Sequence, residues 1–145
     1  MTDTRASVAY RLHPLHGILL AFPIAGFSGA LASDITYLNT AEIQWTNFSQ
    51  WLITGALLFG APVLLWALIA FVRHRRSTLK GAGLFYFVAV SLMWIAGLVN
   101  AFQHSRDGWS SVGTFGLVLS VISTLLALAA AWIAFSLAGR AEAVR

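Results

Sequence analysis

Residues 43–72 read IQWTNFSQWLITGALLFGAPVLLWALIAFV, a run with no Asp, Glu, Lys or Arg. About 20 apolar residues let a helix cross the hydrocarbon core of a bilayer. Three further stretches share the property: Leu12–Ser33, Gly81–Ser105 and Gly108–Gly139. Four crossings and their loops consume the 145 residues, so the chain is expected to be one transmembrane domain, 1–145. The expected spans are about 15–37, 50–72, 82–104 and 112–138. Backbone groups in lipid must be satisfied within the protein, which leaves helices or a closed barrel. A barrel reads as short alternating segments of about ten residues. These runs are continuous, so the expected fold is all-α, an integral membrane four-helix bundle.

Composition agrees. Hydrophobic residues make up 59% of the chain and charged ones 10%, against roughly 25% charged in soluble domains. The net charge of +4 does not point to nucleic acid, because the basic residues sit beside hydrophobic ends and form no aromatic-interleaved patch. The chain has no cysteine, so disulfides, iron–sulfur clusters and thiolate metal sites are excluded.

The charges between the runs orient the bundle. Arg5 and Arg11 precede span one, Arg73, Arg75, Arg76 and Lys80 separate spans two and three, and Arg140 and Arg145 follow span four. Only Arg106 lies on the other side. The positive-inside rule then places both termini in the cytoplasm. Tyr37, Trp45, Trp51 and Trp109 flank the outer span ends, where amphipathic rings favour the interface. An alternative reading takes Arg5, Arg11, the first run and Ala30-Leu31-Ala32 as a signal peptide with its cleavage site, which leaves three spans. The length of that run and Pro23 within it favour a retained span.

Small residues at four-residue spacing let helices approach in lipid. Span one offers Ala21, Ala25, Gly29 and Ser33, span two Ala56 and Gly60, span three Ala89, Gly97 and Ala101, and span four Gly116, Ser120 and Thr124. Ser123, Ala127 and Ala131 form a neighbouring stripe. Pro23 and Pro62 fall inside spans and predict kinks. The two halves show no repeat, so a repeat-built transporter gains no support.

The candidate chemistry divides between two ends. His13-Pro14-Leu15-His16 opens span one at the inner end, with Pro14 suited to a first helical turn. Residues three apart share a face, so both imidazoles are placed to enter the bundle as anchors, haem ligands or proton carriers. His74 lies among Arg73, Arg75 and Arg76, where a solvated loop is the plainer reading. At the outer end Asn100 and His104 share a face of span three, Gln103 and Asp107 share another, and Arg106 follows. Asp34 stands at similar depth on span one. Ionisable groups near a membrane core are costly and mark candidate functional sites. Asp34 is therefore placed to orient or charge His104, either as a proton-handling or quinone-binding pair or as a capping and interfacial ion pair. A core of roughly 30 Å separates His13 and His16 from His104, which excludes one haem held between them. No His/Asp/Glu triplet has metal-site spacing, and no catalytic motif is present.

His13-Pro14-Leu15-His16 followed by Ala21-Phe22-Pro23-Ile24-Ala25 resembles the opening signature of a bacterial membrane family, the domain-of-unknown-function 2231 family. Gly97-Leu98-Val99-Asn100-Ala101 and Gly116-Leu117-Val118-Leu119-Ser120 look similar too. The resemblance covers about residues 12 to 139. Many members carry a further His where this chain has Ala21, and a Gly-Gly-Glu-Leu-type element where it has Phe135-Ser136-Leu137-Ala138-Gly139. The segment His104-Ser105-Arg106-Asp107-Gly108-Trp109 looks like small membrane proteins found beside pyrroloquinoline-quinone-dependent dehydrogenases. The resemblance thus implies a non-catalytic subunit of the bacterial cytoplasmic membrane. It would anchor, or exchange electrons with, a periplasmic quinoprotein-type dehydrogenase. Its docking surface would use loops 39–50 and 105–111, and its quinone pocket would lie near Asp34, Asn100, His104 and Trp109. The alternative is a b-type haem carrier using His13 and His16. A homo-oligomer is compatible with either.

Overall fold

The protein is described here by a computed structural model covering residues 13–76, 80–106 and 112–143, with side chains in the last segment described to residue 138. Asp107 and Trp109, the basic residues Arg5, Arg11 and Arg145, and the side chain of Arg140 lie outside the described residues. Four helices account for nearly all of it: α1 Pro14–Thr40, α2 Ile43–His74, α3 Lys80–His104 and α4 Thr114–Ala143. Each is long and apolar enough to cross a membrane.

The ends of α1 follow from its sequence. The His13 side chain accepts from the Leu15 backbone N–H, and Pro14 occupies the first turn, where its missing donor costs nothing. At the other end Ala41 adopts a left-handed conformation, φ 57°, and its N–H returns to the Tyr37 carbonyl at 2.7 Å. Only Ala41 and Glu42 separate α1 from α2, so the two helices form a tight antiparallel hairpin.

The helices pack as a ring, α1 on α2, α2 on α3, α3 on α4 and α4 on α1. In such an up-down-up-down bundle α1 and α3 run parallel and face each other across the centre. Their buried positions match in register. α1 buries His16, Leu20, Pro23, Phe27, Ala30 and Asp34; α3 buries Tyr86, Val90, Met93, Gly97, Asn100 and His104. Adding 70 to each α1 number gives its α3 counterpart, the separation seen directly in His16–Tyr86 and Asp34–His104. Steps alternate between three and four residues, the spacing of a seam that stays on one helix face.

Close approaches fix this register. A Cβ on Gly97 would collide with Phe27 Cζ, so the Phe27 ring fills a notch that only glycine leaves. A Cβ on Gly26 would meet Ala56 Cβ and the Leu52 carbonyl, both at 2.8 Å. Gly26 thus brings the α1 backbone onto α2, and Gly29, from the expected stripe, faces Leu52 of α2. Ala21 and Ala25, expected on the packing stripe, are exposed, because the seam through Leu20, Pro23 and Phe27 turns them outward. Large apolar side chains also face outward: Leu58, Phe85, Phe102 and Trp132 are exposed. That distribution suits lipid, which receives apolar side chains as readily as a core does.

Pro23 seats against the open face of Gly60. Pro62 leaves the Leu58 carbonyl without its helical donor, and beside it the Trp94 indole N–H donates to the Leu57 carbonyl at 3.2 Å. A neighbouring helix thus bonds to the α2 backbone one residue before the freed carbonyl.

Gly97→Ala is expected to lower stability by about 1–3 kcal/mol through overpacking. Adding Phe27→Leu to the same chain should recover part of the loss, as read by unfolding in mixed micelles.

Candidate functional site

Two polar layers close the α1–α3 seam. They are 18 residues apart on each helix, from His16 to Asp34 and from Tyr86 to His104. At 1.5 Å per residue that is about 27 Å, close to the thickness of a bilayer core. His13 and His16 therefore sit at one membrane face and Asp34, Asn100 and His104 at the other.

In the first layer His16, 2% exposed, places Nε2 2.6 Å from the Tyr86 hydroxyl. The Trp66 ring of α2 packs edge-on against His16, with centroids 5.2 Å apart, and tilted against His13 at 5.5 Å. His13 Nδ1 is used in capping α1, and His16 Nδ1 is buried without a partner. His74 closes α2 at this same end.

The second layer is denser. Asp34, Asn100 and His104 are fully buried, and Ser120 of α4 is 1% exposed. Asp34 Oδ1 lies 3.0 Å from His104 Nε2, and the Ser120 hydroxyl donates to Asp34 Oδ2. Asn100 Nδ2 donates to Ser120 Oγ at 2.9 Å. His104 Nδ1 lies 3.0 Å from the Asn100 backbone carbonyl. Gln50 Nε2 of α2 donates to the His104 carbonyl at 2.6 Å. All four helices thus contribute to one layer.

This geometry sets the protonation of the pair. A carbonyl can only accept, so His104 Nδ1 carries a hydrogen. Nε2 and Asp34 Oδ1 then share one proton, whether as imidazolium with carboxylate or as imidazole with carboxylic acid. Either form leaves the pair neutral, which suits burial, because an isolated charge there is expensive. Asn100 Oδ1 and Ser123 Oγ, near this layer, have no partner.

The structure brings together Asp34, Asn100 and His104, and separates them from His13 and His16. Sequence reasoning did not assign Ser120, Gln50, Tyr86 or Trp66 to either layer. One signal was available: the interval from His16 to Asp34 equals that from Tyr86 to His104. Arg106 is exposed just beyond α3. Among the described residues no group of three or more His, Cys, Asp or Glu is placed to hold a metal.

A family model described as "Predicted membrane protein (DUF2231)" matches residues 12–143. The chain belongs to this family. It is a membrane protein with four apolar helices, and the match spans both polar layers of the DUF2231 chain. No curated protein and no solved structure matches it.

Ser120→Ala is expected to cost about 1–3 kcal/mol, because it strips a donor from Asp34 and an acceptor from Asn100. Thr54→Ala, at an exposed hydroxyl bonded to its own helix, should change stability by less than about 0.5 kcal/mol. Unfolding curves of the two variants in the same micelles make the comparison.

Proposed function

We propose that the protein is a non-catalytic subunit of the bacterial cytoplasmic membrane, with both termini in the cytoplasm. Its outer end docks a periplasmic quinoprotein-type dehydrogenase. The observation that carries the reading is the contrast between the bundle's interior and its rim. The interior polar groups of the outer layer bond chiefly to one another, leaving the surface as the place for contact. At that end α2 presents Ile43, Trp45, Phe48 and Trp51 outward. Glu42, Gln44, Trp45 and Phe48 line an open cleft there. Trp45 packs edge-on to Phe48, with centroids 6.4 Å apart. Aromatic rings beside a few polar groups are typical of contact surfaces that are partly wet and partly apolar. Quinone binding near Asp34, Asn100 and His104 belongs to this proposal as its electron-transfer form, and it requires the buried layer to open.

A second reading, a b-type haem carrier using His13 and His16, draws on the partnerless Nδ1 of His16. It requires the ring to turn away from Tyr86 or to bind through Nδ1.

Purification from native membranes in mild detergent separates the readings. The docking reading predicts a copurifying periplasmic dehydrogenase that is lost when Trp45 and Phe48 are replaced by Ala. The protein alone, without a partner, contradicts it. The haem reading predicts a Soret band that His16→Ala removes, and a colourless preparation from haem-replete cells contradicts that one.

A further inference from the structure

We propose that a cleft between α3 and α4, at the α2–α3 end of the bundle, seats one anionic phospholipid. An acyl chain fills the cleft, and Lys80 holds the phosphate. The seat is independent of any dehydrogenase docked at the opposite end. The cleft has a volume of about 280 Å³ and is lined by Ala82 and Phe85 of α3 and by Trp132, Ile133, Ser136 and Leu137 of α4. Its floor belongs to the core: Leu137 is buried, and Ala82 and Ile133 pack against the buried cluster. Ala82 contributes only a methyl group, which gives the cleft its depth. Its walls are rings, Phe85 at 71% exposed on one helix and Trp132 at 76% on the other.

Depth and size choose an acyl chain as the occupant. Lys80 opens α3, and Phe85 lies five residues further in, about 7.5 Å along the axis. The cleft therefore sits just below headgroup level, where the upper part of an acyl chain runs. The Trp132 indole and the Ser136 hydroxyl supply its polar atoms, and an indole at this depth suits the membrane interface. One turn of helix, about 10 Å across and 5.4 Å long, is larger than the cleft. A partner helix would rest on Phe85 and Trp132 and leave the floor empty, whereas a flexible chain reaches it.

Charge chooses the headgroup. Among the described residues this end carries Arg73, Arg75, Arg76 and Lys80, all exposed, and no Asp or Glu. The described carboxylates, Asp34 and Glu42, belong to the opposite end. Lys80 is the cation on a helix that lines the cleft, two residues ahead of Ala82. Arg73, Arg75 and Arg76 close α2, which packs on the other flank of α3. A lysine lays its stem along apolar surface and keeps its ammonium in water. A basic group at the mouth of an apolar cleft between membrane helices is the arrangement that takes an anionic head group.

Native mass spectrometry of the full chain tests the proposal. The chain is released from micelles that hold equal phosphatidylglycerol and phosphatidylcholine with matched acyl chains. One phosphatidylglycerol per chain is expected to stay bound in preference to phosphatidylcholine. Lys80→Gln should cut that preference about fivefold, the effect of one cation at the membrane surface. Trp132→Ala, at an exposed ring, should lower the retention of both lipids. Arg75→Gln, beyond the end of α2, should change neither. Equal retention of the two lipids overturns the proposal, as does a Trp132→Ala chain that keeps its lipid. Equal losses in Lys80→Gln and Arg75→Gln mark a diffuse basic surface and overturn the seat as well. So does a dimer that Trp132→Ala dissolves, which makes a second copy the occupant.

Discussion

The proton shared by Asp34 and His104 is the constraint on which the rest of this bundle depends. In lipid, hydrophobicity alone does not choose one helix register over another, because tails and side chains are equally apolar. A buried carboxylate and a buried imidazole do choose. A slip by one turn would leave both without a partner, in surroundings where an unpaired charge is the most costly error. Ser120 and Asn100 tie α4 into the same layer, and Gln50 ties in α2 through the His104 backbone. The Asp34–His104 layer is thus the point where four otherwise interchangeable apolar rods become one arrangement.

The second polar layer repeats the logic at the other face with a weaker pair. His16 and Tyr86 bond neutrally, under the cover of Trp66. Between the layers the register is kept by shape, with Phe27 in the notch of Gly97 and Gly26 against Ala56. Polar pins at both ends and a steric key in the middle hold α1 and α3 level. The outer surface is left free for lipid and, at the α1–α2 end, for an aromatic rim.

Much of this was legible in the chain. The four charge-free runs define four helices, because nothing else buries such lengths of backbone in lipid. The positions of His16, Asp34 and His104 along those runs already separate two membrane faces. The facing of each helix was harder to read. Ala21 and Ala25 look like a packing stripe, yet the interior seam passes through Leu20, Pro23 and Phe27, and Gly26 makes the close contact. In an all-apolar helix the inward face is marked by its few polar residues rather than by hydrophobicity. Ser120 went unassigned because a serine hydroxyl in an apolar run usually returns to its own backbone, and Tyr86 because an aromatic ring in such a run reads as packing. Only the equal 18-residue intervals on α1 and α3 betray the pairing.

The most direct test is a double-mutant cycle on Asp34 and His104, read as unfolding free energy in mixed micelles. The two sites are in contact, so the account predicts strong coupling. Asp34→Ala and His104→Ala should each be costly, and the double variant should lose no more than the worse single one, because neither the carboxyl nor the imidazole is then left without the other. Losses that simply add would show that the two side chains do not share a proton, and would contradict the account.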